Sequence, residues 1–184
     1  MESDGDLNEA LIAARSNVSW GWNAIYRSLA PTVTGYLRAQ GAAEPEDLAA
    51  EVFVQAVKNI KRFQGDVTAF RSWIFCVAHN KLVDDSRYRS RRPVQPVADA
   101  GSDRVCSTRV EEQVLNNLAS DRVRQMIAEL TPDQRSVLFL RILGGLTVDE
   151  VARALNKNIT AVKALQRRGL ASLKKEFSAQ TVSI

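Results

Sequence analysis

The sequence is poor in the residues that usually build metal sites and active sites. It has two cysteines, Cys76 and Cys106, which form neither a CxxC pair nor a cysteine/histidine cluster with metal-ligand spacing. This pattern argues against a disulfide framework or a structural zinc site. We expect Cys76 to be a small buried hydrophobe and the single histidine, His79, to be a structural or surface residue. The sequence also has no glycine-rich phosphate loop and no nucleophile beside a base. We therefore expect a protein that is not an enzyme and that binds no cofactor and no metal.

Long apolar runs are also missing. No stretch approaches the ~20 apolar residues that a membrane-spanning helix needs, and the first residues are acidic and polar, unlike a signal peptide. We therefore expect a cytoplasmic protein that is not itself a membrane protein. The chain is 45% hydrophobic, which suffices for globular cores, and its net charge of +4 is modest. The location of the positive charge is therefore more informative than its total.

The 184 residues show helical periodicity, with no convincing period-two strand. We expect Pro31 to kink or split the second helix and Gly41 to end it. The predicted helices of the N-terminal half cover residues 7–15, 20–40, 46–62 and 68–89. The third of these should bury a stripe made of Leu48, Val52, Phe53, Ala56, Val57 and Ile60.

A change of composition divides the chain. Residues 91–109 contain two prolines, a glycine and two serines, with no sustained apolar period, which predicts a flexible linker. Helical signal returns near residues 110–118. The expected fold is all-α, with two small helical domains, residues 1–90 and residues 110–177, joined by this linker. Residues 178–184 are expected to form a tail.

A helix-turn-helix is predicted near residues 146–173. Thr131 with Gln134, and Thr147 with Glu150, have the spacing of capping boxes at helix starts, and Asn156 tolerates the left-handed conformation of a tight turn. The next helix should bury Val162, Leu165, Leu170 and Leu173. Between Lys157 and Lys175 there are six basic residues and no acidic one. A basic second helix fits the major groove of DNA, although an ordinary helical hairpin with a solvated basic face is the alternative.

A second basic segment follows two aromatic residues in the N-terminal half. Residues 81–92 contain five basic and two acidic residues and continue the helix that carries Phe70 and Trp73. Aromatic rings beside cations suit single-stranded nucleic acid, because bases stack on the rings and cations pair with the backbone. The alternative is that both rings belong to the core and that the charges are solvated.

Several motifs in the right order resemble those of sigma factors of RNA polymerase. Residues 46–53, EDLAAEVF, are similar to a signature of sigma region 2, and the segments at residues 62–66, 70–74 and 78–84 are similar to the run that follows it. Residues 130–135 and the helix-turn-helix resemble region 4. The resemblance covers roughly residues 20–175 and points to the extracytoplasmic-function group, whose members keep only regions 2 and 4.

The resemblance implies that helix 46–62 docks on the β′ clamp helices of core RNA polymerase. Asp47 and Glu51 are suited to pair with cationic clamp residues, whereas Val52 and Phe53 are expected to be half core. The full set expected at polymerase is Asp47, Leu48, Glu51, Val52 and Phe53. Ala50 departs from the family's usual glutamine, and Asn156 replaces the usual turn glycine.

The resemblance also implies contacts with two promoter elements. The loop near residues 65–69 and the helix after it would bind the −10 element, where one base flips out of the duplex into a pocket. The residues expected there are Gly65, Asp66, Phe70, Arg71, Trp73, Asn80, Lys81, Asp84, Arg87 and Arg89. The helix-turn-helix would bind the −35 element as duplex. The residues expected there are Thr147, Lys157, Thr160, Lys163, Gln166 and Arg167.

The partners implied are core RNA polymerase, through its β′ clamp helices and β flap, promoter DNA, and an anti-sigma factor that would hold the protein at the membrane. No small-molecule substrate is expected. Two other classes stay open on the residues alone. A stand-alone helix-turn-helix regulator would bind duplex DNA by itself, commonly as a dimer on a palindrome, and a helix-turn-helix recombinase would be an enzyme.

Overall fold

The computed structural model describes residues 4–91, 123 and 125–181, and all of its regular elements there are helices. None of these helices is long and apolar enough to span a bilayer. The elements are α1 Asp4–Arg15, α2 Ser19–Ala39, α3 Pro45–Asn59, a 3₁₀ turn Ile60–Arg62, α4 Val67–Arg91, α5 Pro132–Ile142, α6 Val148–Ala154 and α7 Ile159–Thr181. The predicted linker, the helical signal near residues 110–118 and Cys106 lie outside the described residues.

Helix α2 crosses the N-terminal half without interruption. Pro31 lies inside this helix and does not split it, contrary to one of the two expected outcomes. Pro31 is exposed, as is Arg27, whose carbonyl loses its helical partner to the proline, so water can satisfy that carbonyl. Gly41 has φ +85° and its N–H donates to Arg38 O at 3.0 Å, which confirms the predicted helix end.

The N-terminal core lies between α1, α2, α3 and α4. Fully or nearly fully buried side chains from all four helices meet there: Leu11, Ile25, Val33, Val52, Phe53, Phe70 and Ile74. Val57 is 47% exposed, so its assignment to the buried stripe of α3 was wrong. The buried stripe is narrower because only one side of α3 meets α2 and α4.

The C-terminal half is the predicted helix-turn-helix. Both capping boxes are formed, with Gln134 N donating to Thr131 Oγ1 at 3.3 Å and Glu150 N donating to Thr147 Oγ1 at 3.2 Å. Asn156 has φ +50° in the turn between α6 and α7. Val162 is buried as predicted, but Leu170 is 46% exposed, so its assignment to the buried face was wrong. Gly169 is buried instead.

The two halves touch directly. The Tyr36 ring meets the Phe139 ring edge-on at 6.2 Å between centroids, and Ser72 Oγ donates to Gly144 O at 3.2 Å. Arg135 Nη1 donates to Ala39 O at 3.0 Å. Buried residues of both halves therefore form one continuous apolar cluster.

Candidate nucleic-acid interface

The outer face of α3 is a mixed acidic and apolar surface. Asp47, Ala50, Glu51 and Val54 are all exposed on it, at the three- and four-residue spacing that places side chains on one side of a helix. We call these four residues the α3 face. Such a surface can accept an apolar contact flanked by cations.

Two residues that were expected at polymerase lie beneath that face. Val52 is 0% and Phe53 5% exposed, so the expectation that they are half core is corrected to full burial. The Phe53 ring packs edge-on against Tyr26 at 4.9 Å. These side chains anchor α3, and Leu48 is half-buried. The hydrophobic residues of the motif at residues 46–53 therefore mainly hold α3 in place.

An ion pair joins α3 to α4. Lys81 Nζ lies 2.7 Å from Glu51 Oε2, with the two side chains 32% and 59% exposed. The pair lines one groove together with Leu48, Asp84 and Tyr88. Glu51 and Lys81, which the sequence assigned to different partners, therefore share one surface.

An aromatic cluster lies where the 3₁₀ turn leads into α4. Phe63 stacks on Trp73 at 5.3 Å with an interplanar angle of 23°, and it meets Phe70 edge-on at 5.3 Å. Phe70 is 1% exposed, so it belongs to the core and cannot stack on a base, contrary to its predicted role. Trp73 is half-buried and remains accessible. The alternative that both rings belong to the core therefore holds fully only for Phe70.

Phe63 and Trp73 form the walls of an open cleft. Its other sides are polar and come from α3, the 3₁₀ turn and the following loop: Gln55, Asn59, Arg62 and Gln64. We call this site the aromatic cleft. Rings that can stack and amides that can donate and accept hydrogen bonds suit one unstacked base. Sequence reasoning did not select Gln55, Asn59 or Phe63, because they come from segments assigned to polymerase or to the loop.

The loop beside the cleft is held at both ends. Ala69 N donates to Asp66 Oδ1 at 2.8 Å, so one oxygen of the exposed Asp66 carboxylate caps α4. Gly65 is exposed with φ +144°. Its carbonyl accepts a hydrogen bond from Arg15 Nη2 at 2.6 Å. Arg15 is another residue that the sequence pattern did not single out.

The C-terminal part of α4 carries charges of both signs. Asn80, Asp84 and Arg87 are exposed, and the Arg87 guanidinium lies 3.9 Å from Asp84. Arg89 pairs with Asp85 at 2.7 Å. Exposed pairs of this kind contribute little to stability, so these arginines can exchange a carboxylate for a phosphate. Arg71 is half-buried near the start of the helix.

Helix α7 presents a basic outer face. Thr160, Lys163 and Arg167 are exposed and Gln166 is half-buried; we call these four residues the α7 face. At the start of the helix, Ala161 N donates to Asn158 Oδ1 at 2.7 Å. This capping fixes how α7 leaves the turn.

Two other residues predicted at the −35 element have structural partners. Lys157 Nζ lies 2.9 Å from Asp133 Oδ2 on α5. The Thr147 hydroxyl accepts from Glu150 N and donates to Glu150 Oε2 at 2.8 Å. Its backbone N–H, through a hydrogen bond, is the main cause of the lowered pKa of Glu150. Thr147 is therefore committed to capping α6.

The histidine and the described cysteine are internal. His79 is 8% exposed, and its Nδ1 lies 2.9 Å from the Tyr36 hydroxyl, which confirms a structural residue. Burial lowers the pKa of His79 and raises that of Tyr36. Cys76 is half-buried, and burial raises the pKa of its thiol. Within the part of the chain that the structure covers, no cluster of three potential metal ligands occurs.

Both halves match known family models. The model of sigma-70 region 2 matches residues 25–92, and that of sigma-70 region 4 matches residues 120–173. The chain is 30% identical over 141 residues to the extracytoplasmic-function (ECF) RNA polymerase sigma factor SigX of Bacillus subtilis, with 73% of this chain and 71% of the relative covered. It is also 30% identical over 172 residues to the ECF sigma factor BldN of Streptomyces coelicolor, and it spans 64% of that relative's length while 91% of this chain is covered.

Solved structures share the fold at lower identity. CnrH, solved with the cytosolic domain of CnrY, is 20% identical with a TM-score of 0.58, over 95% of this chain and 98% of CnrH. The sigma factor RpoE, from a complex with the anti-sigma factor NepR from Bartonella quintana, is 14% identical with a TM-score of 0.58, over 85% of this chain and 96% of that one.

Proposed function

The chain belongs to the extracytoplasmic-function group of sigma-70 family RNA polymerase sigma factors, and we propose that it directs promoter-specific initiation by binding core polymerase through the α3 face and promoter DNA through the aromatic cleft and the α7 face. The observation that carries the proposal is the presence, in one chain, of a region 2 domain with an exposed α3 and a region 4 helix-turn-helix with an exposed basic α7. Catalysis of RNA synthesis stays with polymerase, in the cytoplasm, and an anti-sigma factor controls access.

The α7 face would bind the −35 element as duplex. Arg167 can donate two hydrogen bonds to a guanine edge, Lys163 can neutralise a phosphate, and Thr160 lies near the helix start that faces the groove. Lys157 would join them only by releasing Asp133, an exposed and therefore weak partner. Each good base contact discriminates by about 1–3 kcal/mol.

The aromatic cleft would receive the flipped base of the −10 element. Unpairing a base costs a few kcal/mol, and stacking on an aromatic ring returns about 1–3 kcal/mol. Stacking alone does not select a base, so the amides of Gln55, Asn59 and Gln64 would provide the selection. Trp73 keeps its predicted role here, while Phe63 takes the stacking role assigned earlier to Phe70.

The α3 face would dock on the β′ clamp helices. Asp47 is exposed and can pair with a cationic clamp residue, while Ala50 and Val54 provide the apolar contact between the helices. Glu51 would exchange its partner Lys81 for a clamp cation, and this exchange would free Lys81 to approach the −10 strand. Binding of polymerase would thereby be coupled to binding of DNA through the ion pair between Glu51 and Lys81.

Binding both promoter elements would require the two halves to separate. The −10 and −35 elements are separate sites along the promoter, whereas Ser72 and Gly144 of the two halves are in hydrogen-bond contact. The predicted linker would allow this separation, since about 20 residues can extend to about 65 Å, which is nearly two turns of B-DNA at ~34 Å each.

The test is transcription in vitro with purified core polymerase and a template library randomised at both elements. The protein should enrich promoters with two different, non-palindromic elements, and none should emerge with core alone. A stand-alone regulator would instead bind a palindrome tightly without polymerase. The absence of any promoter-specific transcript, with core activity verified on a reference sigma factor, would refute the proposal.

Two double variants of α7 provide a matched comparison. Lys163→Ala with Arg167→Ala should lower discrimination at the −35 element about tenfold to a hundredfold. Lys174→Ala with Lys175→Ala removes the same charge from the same helix, beyond the helix-turn-helix, and should preserve that discrimination. Equal effects of the two pairs would mean that the α7 face contributes charge and no sequence recognition.

A further inference from the structure

Helix α1 lies outside the part of the chain that matches region 2, yet its last residue reaches the loop beside the aromatic cleft. Arg15 Nη2 donates to Gly65 O at 2.6 Å, and the Arg15 guanidinium carbon lies 5.5 Å from the centroid of the Phe63 ring. One side chain therefore contacts both a backbone carbonyl of the loop and a wall of the cleft. The two contacts are of different kinds, since the first is a charge-assisted hydrogen bond and the second a cation–π contact.

The position of Arg15 is fixed by close packing of α1 on α2. A Cβ on Gly21 would lie 2.4 Å from Ala10 O and 2.7 Å from Ala14 N, so the two backbones are in direct contact there. Asn17, with φ +59°, then turns the chain, and Val18 N donates to Ala13 O at 2.9 Å. The helix end that carries Arg15 is thus held rigidly against the rest of the domain.

The loop at Gly65 has room only for a glycine, because a Cβ there would lie 2.9 Å from Ala69 Cβ and 3.1 Å from Phe63 Cζ. Its φ of +144° is one that side-chain-bearing residues rarely adopt, and the nearest internal hydrogen bond is the Asp66 cap on Ala69. Phe63 is held by Trp73 on one face, and the guanidinium of Arg15 completes its surroundings. Without Arg15, the Gly65 carbonyl would turn to solvent and the loop would regain backbone freedom that has to be lost again on binding DNA.

We propose that Arg15 is a positioning residue that fixes the loop at Gly65 and the Phe63 wall of the aromatic cleft, and thereby sets selectivity for the −10 base. The inference rests on the function proposed above. Arg15 acts through Gly65 and Phe63 and does not touch the DNA itself. A direct phosphate contact by Arg15 is the competing role, and it makes a different prediction.

The experiment uses the full chain assembled with core polymerase and templates randomised at the −10 element. Arg15→Ala should lower discrimination between the best and second-best −10 base about tenfold, as expected for loss of a hydrogen bond to a charged group. Discrimination at the −35 element, affinity for core polymerase and the salt dependence of promoter binding should stay unchanged. Arg15→Lys, which can still donate to Gly65 O but lacks the planar group, should recover part of the loss.

Arg27→Ala is the charge-matched control, because Arg27 is an exposed arginine on α2, and it should behave as the wild type. Undiminished −10 discrimination in Arg15→Ala, beside a wild-type protein that discriminates, would overturn the proposal. So would a uniform loss across all sequences with a salt slope smaller by about one, which marks a lost phosphate contact.

Thermal melting shows whether the variants fold. If Arg15→Ala is unfolded, Arg15→Lys decides, since it keeps the charge and most of the stem: full wild-type discrimination would then overturn the proposal and reduced discrimination would support it. A wild-type holoenzyme that gives no promoter-specific transcript would refute the proposed function, and that result is obtained before any variant is compared.

Discussion

Replacing Gly169 by alanine tests how closely the recognition helix α7 packs on α5. Gly169 lies in the interior of α7 and is buried. Alanine is favoured over glycine in a helix by about 1 kcal/mol, so propensity alone predicts stabilisation. Yet a Cβ at this position would lie 2.9 Å from Leu138 Cδ1 and 3.4 Å from Gln134 Cβ. Leu138 is 2% exposed, so it has little room to move.

The balance of these effects sets the expected result. Overpacking a well-filled core costs about 1–3 kcal/mol, which exceeds the gain from helix propensity. Gly169→Ala should therefore lower the free energy of unfolding by about 1 kcal/mol. Because α7 must move away from α5 to admit the methyl group, affinity for the −35 element should fall with it.

Gly35 provides the matched control. It also lies inside a helix, α2, but it is exposed and a Cβ there would meet no atom within 4 Å. Gly35→Ala should therefore stabilise the protein by about 1 kcal/mol. Both substitutions replace a glycine by alanine inside a helix. The difference between their effects on the free energy of unfolding therefore measures the cost of packing the added methyl group between α7 and α5.

Urea denaturation followed by two signals provides the measurement. All three tryptophans lie in the N-terminal half, so their fluorescence follows that half, while far-UV circular dichroism follows all the helices. Gly35→Ala should raise the fluorescence midpoint, and Gly169→Ala should lower the dichroism midpoint. Stabilisation of similar size by both substitutions would refute the close approach of α7 to α5.

Two further predictions concern stability. Thr147→Ala removes the cap of α6 and should destabilise by about 1 kcal/mol in thermal melts at pH 7, whereas Thr147→Ser should retain most of the stability; equal melting temperatures for the two variants would contradict the capping box. Burial lowers the pKa of His79 below its ordinary 6.5, so below that pH the unfolded chain binds a proton that the folded chain resists. The free energy of unfolding should therefore decrease as the pH is lowered, by up to about 1.4 kcal/mol per pH unit. His79→Asn should flatten this decrease between pH 7 and 5. An unchanged slope would exclude His79 as its source.

Features that depend on neighbouring residues in sequence could be predicted well. The boxes at Thr131 and Thr147 need only a hydroxyl and a partner three residues later, and both are formed. Asn156 adopts the left-handed turn that its side chain permits. The family motifs likewise located both domains, because their order along the chain is itself the signal.

Features that depend on tertiary packing could not be predicted. Periodicity shows which face of a helix is apolar, but it does not show how wide a surface the neighbouring helices cover. Val57 and Leu170 are exposed for this reason, and Phe70 is buried while Trp73, one turn along, remains accessible. Arg15 escaped notice because its partner Gly65 is distant in sequence and because a single arginine at a helix end carries no pattern.

The contact between the two halves would have to open if both promoter elements are bound at once. In the closed arrangement the α3 face is exposed, and so are Lys163 and Arg167 on α7, so closure would oppose promoter binding by limiting the distance between the halves rather than by covering them. The hydrogen bonds that close it run from Ser72, Gln40 and Arg135 across the contact. At about 0.5–1.5 kcal/mol each, the three bonds contribute about 1.5–4.5 kcal/mol, and the apolar contact of Tyr36 with Phe139 adds to this. Shifting a two-state equilibrium from almost fully closed to almost fully open takes about 5.5 kcal/mol of differential affinity, so ligands that bind only the separated halves would have to supply that amount, and a ligand that spans both halves would oppose them.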